Sequence, residues 1–128
     1  MRNAIPFVIV SIDMDGLKII NDTCGHQAGN RTLQTLSERL SRELSDRDTA
    51  YHFHGDEFCI VTDELDESYV EGLMLRVRTE ECPKFSYGSA HWPEEGATWS
   101  EVDNIADERM RENKGKRKAS GEAPERPQ

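Results

Sequence analysis

The run Phe7-Val8-Ile9-Val10-Ser11-Ile12, followed at once by Asp13-Met14-Asp15-Gly16, is apolar and β-branched at successive rather than alternate positions. Strands with neither face in water read this way, so the run predicts a strand in the middle of a sheet. It starts almost at the first residue, whereas a central first strand usually has chain before it. The sequence therefore reads as an N-terminally cut piece of a longer protein. Asp13 leaves that strand and Asp15 lies two residues on, at the strand exit where sheet enzymes place metals and ligands.

Further along, Leu33, Leu36, Leu40 and Leu44 recur on one helical face, and Arg31, Glu38, Arg39 and Arg42 fall outside it. This predicts a helix from about His26 to Leu44. Ala50–Phe53 and Glu57–Val61 are strand-like, and His54-Gly55-Asp56 between them signals a tight turn, hence a β-hairpin. Ser68-Tyr69-Val70-Glu71 has the form of a capping box, opening a helix with Val70, Leu73, Met74 and Val77 inward and Pro83 ending it. Phe85–Ala90 predicts another strand, weakened by Gly88. Ser100-Glu101-Val102-Asp103 starts a last helix with Val102, Ile105, Ala106 and Met110 inside. The expected fold class is α+β, in the order β-α-β-β-α-β-α, with helices flanking a small, mainly antiparallel sheet. Residues 1–115 form the domain. Residues 116–128 are Lys/Arg-, Gly- and Pro-rich without apolar periodicity and read as a disordered tail.

Composition limits the function classes. The 128 residues, 35% of them hydrophobic, suffice for one domain with a modest core. Lys and Arg number 16 against 25 Asp and Glu, a net charge of −9. The stretch Arg109–Lys118 is nonetheless +5, with Arg109, Arg111, Lys114, Lys116, Arg117 and Lys118 against Glu112. An acidic surface repels duplex phosphates, so no nucleic-acid partner is expected, whereas a small anion fits the basic cluster. Three cysteines without a CxxC pair argue against a disulfide framework or a cysteine zinc site and for reduced thiols in the cytoplasm. The longest apolar run, Ala4–Ile12, is too short to span a membrane and lacks signal-peptide features.

The chemistry-bearing residues are acids. Asp56 and Glu57 sit at the hairpin tip. If the hairpin pairs beside the first strand, Asp13 and Asp56 converge, and two carboxylates without nearby His or Cys suit Mg²⁺ held with phosphate oxygens. Taken singly, each acid is better read as structural, Asp56 forming the turn and Asp13 capping the one that follows; two acids on adjacent loops weaken that reading without removing it.

The motif Asp13-Met14-Asp15-Gly16-Leu17-Lys18-Ile19-Ile20-Asn21-Asp22, running on through Gly25-His26 and Gly29-Asn30, and then His54-Gly55-Asp56-Glu57-Phe58, resembles the GGDEF family of diguanylate cyclases. The closing Ala106-Asp107 with Lys114 and Lys118 is similar to that family's C-terminal element. Blocks in this order are specific. The resemblance implies a nucleotidyl-cyclase, ferredoxin-like fold and a reaction that condenses two GTP into cyclic di-GMP. It implies two Mg²⁺ held by Asp13, Asp56 and the Met14 carbonyl, and Asp56 or Glu57 helping to deprotonate the ribose 3′-hydroxyl. Lys18, Lys114 and Lys118 would hold the triphosphate, Asn21 and Asn30 would read guanine, and His54 and Gly55 would line the nucleotide. It further implies a homodimer, each subunit supplying half of the site, and an N-terminal sensor domain outside this chain.

Departures from the pattern sharpen the expectation. Asn30 stands where the family has Asp, and His54 replaces the first Gly of the signature. Losing a charged acceptor for guanine costs about 1–3 kcal/mol. An amide also pairs bidentately with adenine, which leaves base preference open. Ser45 stands at the Arg position of the family's product-inhibition pair, with Asp48 at the Asp position, so no feedback site of that type is expected. The D-x-L-T-G-L segment that precedes the first strand has no counterpart. The alternative function is therefore a degenerate domain that binds nucleotide or dimerises as a regulatory module without cyclase activity; a purely structural domain is the third.

Overall fold

In the computed structural model, which describes residues 5–54, 57–78 and 82–119, the first apolar run forms β1 (Phe7–Met14). It is followed by α1 (Leu17–Cys24), α2 (His26–Glu43), β2 (Asp48–His54), β3 (Glu57–Thr62), α3 (Glu67–Val77), β4 (Phe85–Trp92) and α4 (Trp99–Ala119). The sheet order is β2-β3-β1-β4, with every neighbouring pair antiparallel. β1 is therefore interior, as its unbroken apolar run requires.

Alternate residues of β1 serve two cores. Val8, Val10, Ile12 and Met14 pack with Leu36 and Leu40 of α2 and with Leu73, Met74 and Val77 of α3. On the opposite face Ile9 packs with Cys59, Ala90, Val102 and Ala106 under α4. Burial, with a smaller contribution from Asp103, pushes the Cys59 thiol up to about 12, so it stays protonated at neutral pH. Phe7 stacks on Trp92 at 5.2 Å between ring centroids and closes the first-residue end of that face.

The fold class stands, and four local readings change. An extra helix, α1, lies between β1 and α2; its eight residues are too few to show a helical stripe. Gly25, at φ +90°, makes the corner between α1 and α2, a conformation that side chains other than glycine rarely adopt. Asp66, not Ser68, caps α3 by accepting from the Ser68 amide, and the helix ends at Val77, well before Pro83. Gly88 is a seat for α4 rather than a weak point: a Cβ there would lie 2.2 Å from the Met110 nitrogen. Lastly, α4 runs through Lys116 to Ala119, so the first four residues assigned to a disordered tail are helical. Residues 120–128 lie outside the described residues.

Candidate active site

The α4-facing side of β1 turns from apolar to polar toward its exit. Phe7 and Ile9 are followed by Ser11, whose hydroxyl reaches Asp107 Oδ1 at 3.4 Å, and then by Asp13. Lys114 Nζ of α4 donates to Asp13 Oδ2 at 2.7 Å, with the two side chains 24% and 14% exposed. α4 therefore delivers a cation to the acid at the strand exit. In register, Asp13 lies between Glu57 of β3 and Ser86 of β4.

Glu57, the first residue of β3, is half-buried and also pairs in register with His54, after an irregularity between His52 and His54. The hairpin thus stands beside β1, as the convergence argument requires. Gly55 and Asp56 lie outside the described residues, as does the His54 side chain. Met14 is fully buried. Among the described residues no set of three or more His, Cys, Asp or Glu is grouped to hold a metal; Asp56 is not among them.

Two residues after β1, α1 begins. Lys18 is exposed on it, and Asn21 is half-buried. The Asn21 side chain lies over Gly29: a Cβ at Gly29 would fall 1.8 Å from Asn21 Oδ1. Asn30, the next residue, is exposed. The two expected base readers therefore share the α1–α2 corner. Lys118 follows Lys114 by one turn of α4, and its side chain is not among those described.

Sequence reasoning gave no role to the grip on Asp15. Its amide donates to the Lys84 carbonyl at 2.8 Å, and Ser86 Oγ donates to Asp15 Oδ1 at 2.8 Å. Asp15 belongs to the quoted motif, but Ser86 lies in a stretch without one. At the other end of the sheet, Asp48 accepts from the Ser45 amide at 2.9 Å and the Ser45 hydroxyl at 3.0 Å, and from Tyr69. Burial works against charge on Asp48, but these bonds and one from Thr62 outweigh it and hold the carboxyl below its usual range.

An antiparallel β2-β3-β1-β4 sheet with helices on both faces and an acid–lysine pair at the β1 exit defines an α+β domain of the nucleotidyl-cyclase type. The family model described as "Diguanylate cyclase, GGDEF domain" matches residues 1–120, and the chain belongs to the GGDEF family.

Among curated relatives, it is 33% identical over 78 residues to the diguanylate cyclase DosC of Escherichia coli K12, covering 61% of this chain and 17% of that protein. It is 42% identical over 55 residues to the cyclic di-GMP phosphodiesterase NbdA of Pseudomonas aeruginosa, covering 43% of this chain and 7% of that protein. The chain thus spans only a small part of the relatives it matches. Among solved structures, a microbial GGDEF domain described in an interaction with cyclic di-GMP is 34% identical, with a TM-score of 0.75, over 90% of this chain and 76% of that one. An EAL/GGDEF domain protein from M. capsulatus is 26% identical, with a TM-score of 0.76, over 90% and 82% of the two chains.

Proposed function

We propose that this domain condenses two GTP into cyclic di-GMP, each 3′-hydroxyl attacking the α-phosphorus of the other nucleotide with release of pyrophosphate. One observation carries the reading: Asp13, deeply placed at the β1 exit, holds the Lys114 ammonium at 2.7 Å and lies in register with Glu57. A carboxylate that already binds a cationic group, with only oxygen donors expected around it, fits a hard divalent ion. Asp13, Asp56 and the Met14 carbonyl would hold two Mg²⁺. When bound, Mg²⁺ supplies charge neutralisation at the attacking and leaving oxygens.

The remaining roles belong to the chain. Asp56 or Glu57 accepts the proton of the 3′-hydroxyl. Lys18, Lys114 and Lys118 hold the triphosphate as point charges. Asn21 and Asn30 face the base, and His54-Gly55 borders the nucleotide. Two subunits meet in a homodimer because one site holds one GTP and the product needs two. A cytoplasmic setting fits a nucleoside triphosphate substrate; among the described residues no helix is long and apolar enough to cross a membrane.

A second reading rests on Asn30 and His54, which depart from the family pattern: a regulatory module that binds nucleotide without joining it. Incubation of the purified chain with GTP and Mg²⁺ separates the two. Cyclic dinucleotide with pyrophosphate supports the cyclase, and saturable Mg²⁺-dependent binding without product supports the module. Neither signal leaves a structural domain. Asn30→Asp is expected to tighten GTP binding by about 1–3 kcal/mol, measured by calorimetry; unchanged affinity contradicts the assignment of Asn30 to the base.

A further inference from the structure

Ser86 is fully buried, and with Thr62 it makes up the buried polar residues among those described. A hydroxyl withdrawn from water needs a partner, and here the partner is informative. Its Oγ donates to Asp15 Oδ1 at 2.8 Å, while the Asp15 amide donates to the carbonyl of Lys84, two residues before Ser86, also at 2.8 Å. The connection between β1 and α1 is thereby gripped at one residue by both main chain and side chain. Ser86 also lies in register with Asp13. On the other side of Asp15, Gly16 at φ +73° turns the chain into α1.

We propose that Ser86 is a positioning residue: through Asp15 it fixes the β1–α1 connection, and so the setting of Asp13 and the Met14 carbonyl toward a divalent ion. Its functional meaning rests on the cyclase reading. Ser86 acts in this proposal through Asp15, to which its hydroxyl donates. Outer partners that orient ligands in this way typically alter metal affinity or activity about 10–100-fold when removed.

The test compares wild type, Ser86→Ala and Ser86→Thr in Mn²⁺-dependent binding of a GTP analogue with a methylene bridge between the α- and β-phosphates. Hydrogen exchange at the Asp15 amide is followed in parallel. The expected result for Ser86→Ala is binding weakened about 10-fold in Mn²⁺ and unchanged without it, with faster exchange at Asp15 and unchanged exchange in β3. Ser86→Thr restores both. Unchanged Mn²⁺-dependent binding in Ser86→Ala overturns the proposal and leaves the cyclase reading intact. So does equal weakening with and without metal, or failure of Thr to rescue. If wild type shows no metal-dependent binding, the cyclase reading fails and the proposal falls with it.

Discussion

Lys114 and Asp13 join α4 to β1 at 2.7 Å with little exposure, so truncating Lys114 removes an ammonium donor from a carboxylate that water reaches poorly. Lys114→Ala is expected to cost about 1–3 kcal/mol of stability, read from urea unfolding; no loss would mean that the pair is solvated and idle. A second charged clamp predicts the acid limb of the stability curve. Glu95 accepts from both terminal nitrogens of Arg109, at 2.6 and 3.0 Å. Chiefly through this Arg109 bond, with burial opposing and the His91 amide helping, its carboxyl is held at about 2. A depressed folded value means that the stabilisation is complete above the ordinary carboxylate range near 4.5 and is lost as pH falls toward 2. Glu95→Gln should flatten the fall in melting temperature over that window; an unaltered slope contradicts the clamp. Motif order singles out both Asp13 and Lys114, the two residues that the structure brings together at the β1 exit. The Glu95–Arg109 clamp was not legible in this way, since its partners come from a loop and a helix face with no shared pattern.

Helix α4 depends on a missing side chain. Its backbone rests on Gly88, where a Cβ would meet the Met110 nitrogen at 2.2 Å and the Ala106 carbonyl at 2.5 Å. Gly88→Val should destabilise by about 1–3 kcal/mol, seen as a lowered melting temperature, because backbone rather than a flexible side chain must move. A neutral effect would show that α4 can slide off β4 without loss. The long elements were readable from periodicity: the Leu36 and Leu40 face of α2, the Val70–Val77 face of α3 and the apolar run of β1 each point to the core they occupy. The short α1 was hidden because eight residues rich in β-branched side chains, bounded by Gly16 and Gly25, give a turn signal at both ends and too little stripe between. The Asp66 cap was missed for a related reason, since Asp66 and Ser68 are both good caps and only geometry chooses between them.

The molecule as a whole brings one residue from each of three motif blocks, Asp13, Glu57 and Lys114, to one end of the sheet. Antiparallel pairing of β1 with β3 sets Glu57 beside Asp13, and the length of α4 carries Lys114 to the same place. The sequence expected Asp13 and Asp56 to converge on the condition that the hairpin pair with β1; the sheet order meets that condition, and Asp56 itself lies outside the described residues. Within the basic stretch Arg109, Arg111 and Lys114 pair with Glu95, Asp107 and Asp13, so these cations have local partners in an otherwise acidic chain. The most direct measurement is GTP binding in Mg²⁺ by calorimetry, with wild type beside Asp13→Asn. Saturable, Mg²⁺-dependent binding that the substitution abolishes is the expected result. Equal binding by the two proteins, or none by wild type, would contradict a nucleotide–metal site at the β1 exit.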